Sequence, residues 1–250
     1  MKRLLYLFLL VAFCGCASGP TFFSEDYLAG MAATEFSKIK EQFPISNDPA
    51  GTAMVNRVSS RIAQTLGDEM PDADWEYVLL EDEAANAFAM PGGKIAVFTG
   101  LLELVDSDDE LAAVVGHEIA HVLLKHANQR MSAELIRGGI GVLVAVGTSE
   151  MEDENRALAL AAYGIGSQVG IMLPYSRSHE TQSDRMGLII AARSGFDPRA
   201  AITFWKKMAE ASSSSLPEFL STHPGYETRI ETLTEAMPEA LRYYQASKRP

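Results

Sequence analysis

Between residues 25 and 43, and again between 49 and 66, apolar side chains return at every third or fourth position. In the second stretch Val55, Val58, Ile62 and Leu66 make one stripe. That period predicts two amphipathic helices. From Trp75 the period falls to two. Residues 75–80 (WEYVLL), 86–90 (NAFAM) and 94–98 (KIAVF) read as short strands, the last two joined through the turn Pro91-Gly92-Gly93. The run 106–109 (DSDD) supplies helix-start chemistry for a helix that carries on through 114–123 (VVGHEIAHVL). Two apolar stretches rich in small residues follow, 135–147 and 157–173. The first falls short of the roughly 20 residues that span a bilayer, and Tyr163, Gly164, Gly166, Ser167 and Gln168 interrupt the second. Both are expected as buried or interfacial helices, with Pro174 stopping the second. Residues 176–195 predict a further helix, Asp197-Pro198 the start of another, 212–215 (SSSS) a loop, and 226–246 a last helix. The pattern shows no repeat and predicts an α+β fold: one mostly helical domain over residues 25–250, carrying a small antiparallel or mixed sheet.

The start of the chain departs from this pattern. Lys2 and Arg3 precede a continuous apolar run, 4–13 (LLYLFLLVAF), and then Cys14-Gly15-Cys16-Ala17-Ser18. A basic start, a short apolar core and small residues describe an export signal, too short to span a membrane. Both cysteines of the chain lie here, and a disulfide between them would close a trivial loop. The segment resembles a bacterial lipoprotein signal, with Gly15 before Cys16 and Phe13 standing where Leu is usual. That resemblance implies residues 1–15 as a signal peptide, Cys16 as the lipidated first residue of the mature protein, and 16–24 as a tether. Ala17 in place of Asp implies the outer membrane, with the body facing the periplasm of a bacterial cell envelope. Composition bears on the partners. The net charge is −12, from 21 basic and 33 acidic side chains, which excludes a nucleic-acid surface. It also excludes holding to anionic lipid by charge, so attachment to the membrane falls to the N-terminal lipid anchor.

Within the central helix, His117 and His121 are four residues apart and share a face, so both can aim ring nitrogens at one zinc ion. Glu118 sits one residue round, where it reaches a water beside such an ion and takes its proton as it attacks a carbonyl. A catalytic zinc needs a third protein ligand. His126, five residues past His121, points to a different face and is expected as an exposed histidine. Glu180 and Asp184 lie four apart on a predicted helix, so both carboxylates face one way; one can ligate while the other accepts the free N–H of a ligating histidine.

The segments GHEIAHVLLKHANQR (116–130) and SRSHETQSDRMG (176–187) resemble the HtpX/CAAX-prenyl-protease type of gluzincin metallopeptidase, in which HExxH is followed by a Glu ligand within ExxxD. Ser183 departs from the Ala common there and touches neither ligand. Residues 86–93 are similar to the family's strand-and-turn segment, and 55–58 (VNRV) to its early helix. Thr222-His223-Pro224, with Arg229 beyond, is similar to its C-terminal signature. The resemblance implies a zincin-like metallopeptidase fold with an HExxH active-site helix. It implies one Zn2+ per chain on His117, His121 and Glu180, Glu118 as general base, and Asp184 behind the ligands. Since the membrane helices of HtpX have no counterpart, the layout is that of the exported lipoprotein branch, of the LoiP and BepA kind. His223 is open to three readings: donor to the tetrahedral oxyanion, fourth zinc ligand holding the enzyme latent, or a helix-start histidine before Pro224. Arg229 supports either transition-state charge or a salt bridge.

The expected function is zinc-dependent cleavage of peptide bonds in misfolded or unassembled envelope proteins. The alternative is a non-enzymatic zinc-bearing envelope chaperone or assembly lipoprotein; retention of Glu118 beside all three ligands favours the enzyme. A structural zinc site is disfavoured because no cysteine follows Cys16. Residues 88–90 offer an exposed strand edge on which an extended substrate can pair, or else a buried strand.

Overall fold

A computed structural model describes residues 19–168, 172–211, 223 and 226–248. Helix α1 (Glu25–Gln42) starts at Ser24, whose hydroxyl accepts from Tyr27 N–H, and α2 (Pro49–Thr65) starts at Asp48, whose carboxylate accepts from Ala50 N–H. The α2 stripe of Val55, Val58, Ile62 and Leu66 is buried. Strands β1 (Glu76–Leu80), β2 (Ala87–Met90) and β3 (Lys94–Phe98) form one mixed sheet in the order β1-β3-β2. In it β1 runs parallel and β2 antiparallel to β3. Gly92 and Gly93 take φ of 83° and 87°, which lets the chain reverse between β2 and β3 without a Cβ clash. Because strand side chains alternate, Leu79, Ile95 and Val97 face α2 and the central helix. Val78, Leu80, Ala96 and Phe98 meet Phe36 of α1 on the other face.

After the single turn α3 (Thr99–Leu102), the central helix α4 (Asp108–Leu123) begins at Ser107, which accepts from Glu110 N–H. Asp108, Asp109 and Glu110 in its first turn complement the helix dipole. Every residue of α4 from Glu110 to Ala120 is buried, between β2, α2, α7 (Leu173–Arg193) and α8 (Arg199–Ala211). Its approach to α7 is set by two glycines. A Cβ on Gly187 would fall 2.6 Å from His117 Cα, and one on Gly116 would fall 2.8 Å from Gly187 O. The last helix, α9 (Tyr226–Ser247), packs along α7 and α8.

Two expectations need correction. Pro174 does not stop a helix but sits in the first turn of α7, where its missing N–H has no intrahelical acceptor to lose. Residues 135–147 and 157–173 fall mainly in α5 (His126–Gly147) and α6 (Asp153–Ser167), a hairpin that projects from the body. These helices are not buried: α5 has no buried residue after Ser132, and in α6 only Ser167 is buried. No helix among the described residues is long and apolar enough to cross a membrane. The tether region is bound to the body from Gly19 on. The N–H groups of Gly19, Phe22 and Phe23 donate to Gln129 Oε1, Ser132 Oγ and Asn128 Oδ1 of α5. Residues 1–18 with Cys16, the loop 212–215, Thr222 and Pro224 lie outside the described residues.

Candidate metal centre

His117 and His121 stand one turn apart on α4 with their Nε2 atoms 3.1 Å apart. The glycine contact brings α7 alongside, so that Glu180 Oε2 lies 3.4 Å from His117 Nε2 and Oε1 lies 3.5 Å from His121 Nε2. His223 arrives from the segment before α9. Its Nδ1 is 2.9 Å from Glu180 Oε2 and 3.4 Å from His117 Nε2, and its Nε2 is 3.5 Å from Glu118 Oε1. One ligand-type atom from each of His117, His121, Glu180 and His223 lies within 4.8 Å of all the others.

Behind this group, Asp184 Oδ1 is 3.0 Å from His117 Nδ1, one helical turn from Glu180 as the spacing predicted. Arg229 is buried and holds Asp184 through Nε, at 3.0 and 2.9 Å to the two carboxylate oxygens, and through Nη2 at 2.5 Å. Its guanidinium lies over the Trp205 ring, 3.5 Å from the centroid. A buried guanidinium needs such partners, and this one also reaches the ligand group, with Nη1 3.5 Å from Glu180 Oε2 and Nη2 2.8 Å from His117 Nδ1.

His126 overturns the expectation of an exposed histidine. It is 1% exposed, with Nδ1 3.0 Å from His121 Nδ1 and 3.2 Å from Ser183 Oγ. It stacks on His179 with centroids 3.9 Å apart, and His179 Nε2 meets Gln129 Oε1 at 3.1 Å. The cause is Lys125, whose φ of 58° breaks the helix between α4 and α5. Counting five residues round a helix holds only while the helix is continuous. The sequence reading therefore missed His126, His179, Gln129 and Ser183 as the support behind His121. The presence of His179 and Ser183 beside Glu180 and Asp184 in the motif was the available signal.

The charge states suit a cation. Burial, with His117 next to it, holds His121 well below its ordinary pKa, so its ring stays neutral with a lone pair to offer. Burial pushes His126 down to about 4 and His179 down to about 3. Burial and Arg229 work against a positive charge on His117, yet Asp184 and Glu180 outweigh them and raise it. Burial likewise works against ionisation of Glu180, but hydrogen bonds from His117 and His223 hold it well below the carboxylate range. For Asp184, Arg229 and His117 overcome burial in the same way. Two carboxylates thus stay ionised and draw positive charge toward His117, a demand that a divalent cation meets directly. Glu118 Oε1 is buried without a hydrogen bond, a state worth about 1–3 kcal/mol unless a donor comes to it. The residues present fit a metal ion: nitrogen and oxygen donors converge within 4.8 Å of one another, with a second carboxylate beside them that has capacity to accept.

Residues 49–237 match the sequence pattern of Peptidase family M48. The chain is 33% identical over 222 residues to the mitochondrial metalloendopeptidase OMA1 of Schizosaccharomyces pombe, covering 87% of this chain and 63% of that protein. To the Bos taurus protein named metalloendopeptidase OMA1, mitochondrial, it is 36% identical over 186 residues, 72% of this chain and 35% of the relative. To the beta-barrel assembly-enhancing protease of Escherichia coli it is 30% identical over 200 residues, 77% of this chain and 40% of the relative. The chain therefore spans less than two thirds of the length of these relatives. The matched segment contains α2 through most of α9, and with it every residue of the metal centre. By that match and these identities, the chain belongs to peptidase family M48.

Proposed function

We propose that this chain is a zinc-dependent endopeptidase. The observation that carries the reading is the convergence of His117, His121 and Glu180 from two helices, with the unbonded carboxylate oxygen of Glu118 beside them. His117, His121 and Glu180 would hold Zn2+, one per chain. When bound, the ion supplies Lewis acidity to the scissile carbonyl and to the attacking water. Glu118 Oε1 takes the proton of that water and passes it to the leaving amine. Asp184 accepts from His117 Nδ1 and fixes its tautomer, while His126 does the equivalent work at His121 Nδ1. His223 would be a fourth ligand in a resting form, a reading supported by the approach of its Nδ1 to Glu180 and His117. The oxyanion-donor role then requires it to leave that position.

The substrates are extended segments of unfolded or unassembled proteins. β2 is one of the two edge strands of the sheet and packs beside α4. Asn86 O accepts from Phe98 N–H across the ladder, so Phe88 and Met90 also turn their backbone groups to β3. Ala89 then turns its N–H and C=O to the open edge. A strand added there is read by its backbone and runs along the metal centre. The lipoprotein-like start of the chain and the likeness to the beta-barrel assembly-enhancing protease support envelope proteins as substrates. They also support a place at the bacterial outer membrane, facing the periplasm and anchored through Cys16.

The deciding experiment compares the purified zinc-loaded chain with Glu118→Gln on casein. The wild type cleaves, a chelator abolishes cleavage, and the variant loses about a thousandfold in rate while binding zinc as before. Equal activity in both would remove Glu118 from the chemistry. Zinc binding without cleavage by either, even after His223→Ala, would favour the chaperone reading.

A further inference from the structure

We propose that the outer face of α5 is a membrane-contact surface, seated on the bilayer that carries the N-terminal anchor. Leu135, Val142, Leu143 and Val146 are 60–70% exposed, and by their spacing they lie with Gly139 on one side of the helix. Arg130, Glu134 and Arg137 fall on the opposite side. α6 packs on that opposite side as well: Tyr163 donates its hydroxyl proton to Arg137 O, and its ring meets Gly141. The stripe is therefore turned away from both the hairpin partner and the body. Four large aliphatic side chains in a row about 16 Å long are more than a surface in water leaves uncovered.

The start of the chain identifies what covers them. Asn128 and Ser132, which bind Phe23 and Phe22 of the tether, continue the same seam in steps of four and three: 128, 132, 135, 139, 142, 146. The first turns of that seam carry the tether and the last turns are bare. Three residues before Gly19 stands Cys16, within about 11 Å at full extension, preceded by the apolar run 4–13. An anchor leaving from this point puts lipid on the side where the stripe faces. Phe22, 57% exposed beside Ser132, adds an aromatic ring at the level of the headgroups. The chain carries −12 and the stripe itself has no charge, so the contact is apolar and works on zwitterionic lipid. This proposal rests on the lipid-anchor reading of Cys16.

The test uses the full chain, as processed in a bacterial host, on phosphatidylcholine vesicles containing a phospholipid with a diazirine in its acyl tail. After irradiation, trypsin separates the two helices, because it cuts after Arg137, Arg156 and Arg177. The expected result is several-fold more lipid adduct on peptide 138–156 than on 157–177. It is lost in Val142→Asp/Leu143→Asp, a pair exposed enough that the fold, followed by circular dichroism, is kept. No adduct on 138–156 overturns the proposal, and equal adduct on both peptides overturns it in favour of insertion of the whole hairpin. Self-association of the chain that shields 138–156 from lipid and disappears in the double variant assigns the stripe to a second copy instead. The mass of the N-terminal peptide from the same digest decides the anchor separately. Acylated Cys16 with an unlabelled stripe refutes this proposal alone, and a labelled stripe with unacylated Cys16 refutes the anchor alone.

Discussion

At His223 a single side chain sits against both the ligand group and the base, with Nδ1 2.9 Å from Glu180 Oε2 and Nε2 3.5 Å from Glu118 Oε1. If it occupies the fourth position in a resting form, His223→Ala raises casein cleavage by about tenfold, the gain for a resting state populated ten to one. Zinc content stays at one per chain. A fall in rate at unchanged zinc content would instead make it the oxyanion donor, and no change would make it a helix-start residue. The other ligand candidates were legible because each pair is local: His117 with His121, and Glu180 with Asp184, lie i and i+4 within one unbroken helix. His126 was not legible, because the left-handed corner at Lys125 lies between it and His121. No periodicity extends across such a corner.

Helices α4 and α7 meet at Gly116 and Gly187 with backbones in contact, and this meeting sets how far Glu180 stands from the two histidines. A methyl group on Gly187 would fall 2.6 Å from both N and Cα of His117. Gly187→Ala is therefore expected to cost about 3 kcal/mol and to lower the melting temperature by roughly 6–12 °C, with weaker zinc binding. A thermal melt and a chelator competition check it. Unchanged values in both would show that the helices separate easily. At β2, Ala89→Pro removes a donor that faces the open edge rather than β3, so the sheet remains. Cleavage of unfolded substrate should fall by up to about tenfold through KM, the worth of one backbone hydrogen bond. Unchanged kinetics in a folded variant would remove the edge from substrate binding. The strands were legible in outline because period two and the Pro91-Gly92-Gly93 turn are both local signals. Their order, with β3 between β1 and β2 and a parallel pair, depends on how the chain crosses over, and alternation along a strand carries no such information. Pro174 misled for a related reason: proline marks a helix boundary equally well at a start and at an end.

Across the whole molecule, apolar composition told where helices form but not what they face. The stretches 135–147 and 157–173 have the composition of core, yet only one side of each helix meets another element, since the hairpin projects beyond α4. What the sequence could not disclose at all is that the tether and the histidine stack behind His121 meet at one atom, Gln129 Oε1. Gly19 N–H and His179 Nε2 both reach Gln129 Oε1 at 3.1 Å; His179 stacks on His126, and His126 touches His121. Trimming the chain to make it tractable is consequently not a neutral act. A fragment beginning at Glu25 removes the backbone groups of Gly19, Phe22 and Phe23 from Gln129, Ser132 and Asn128 and loosens the stack that steadies a ligand. Its zinc affinity should drop by about tenfold against a fragment beginning at Ala17, the scale on which outer partners of metal ligands act. Equal affinities by chelator competition would mean that the stack holds without the tether. Where the chain is cut for the bench thus becomes part of the chemistry being measured.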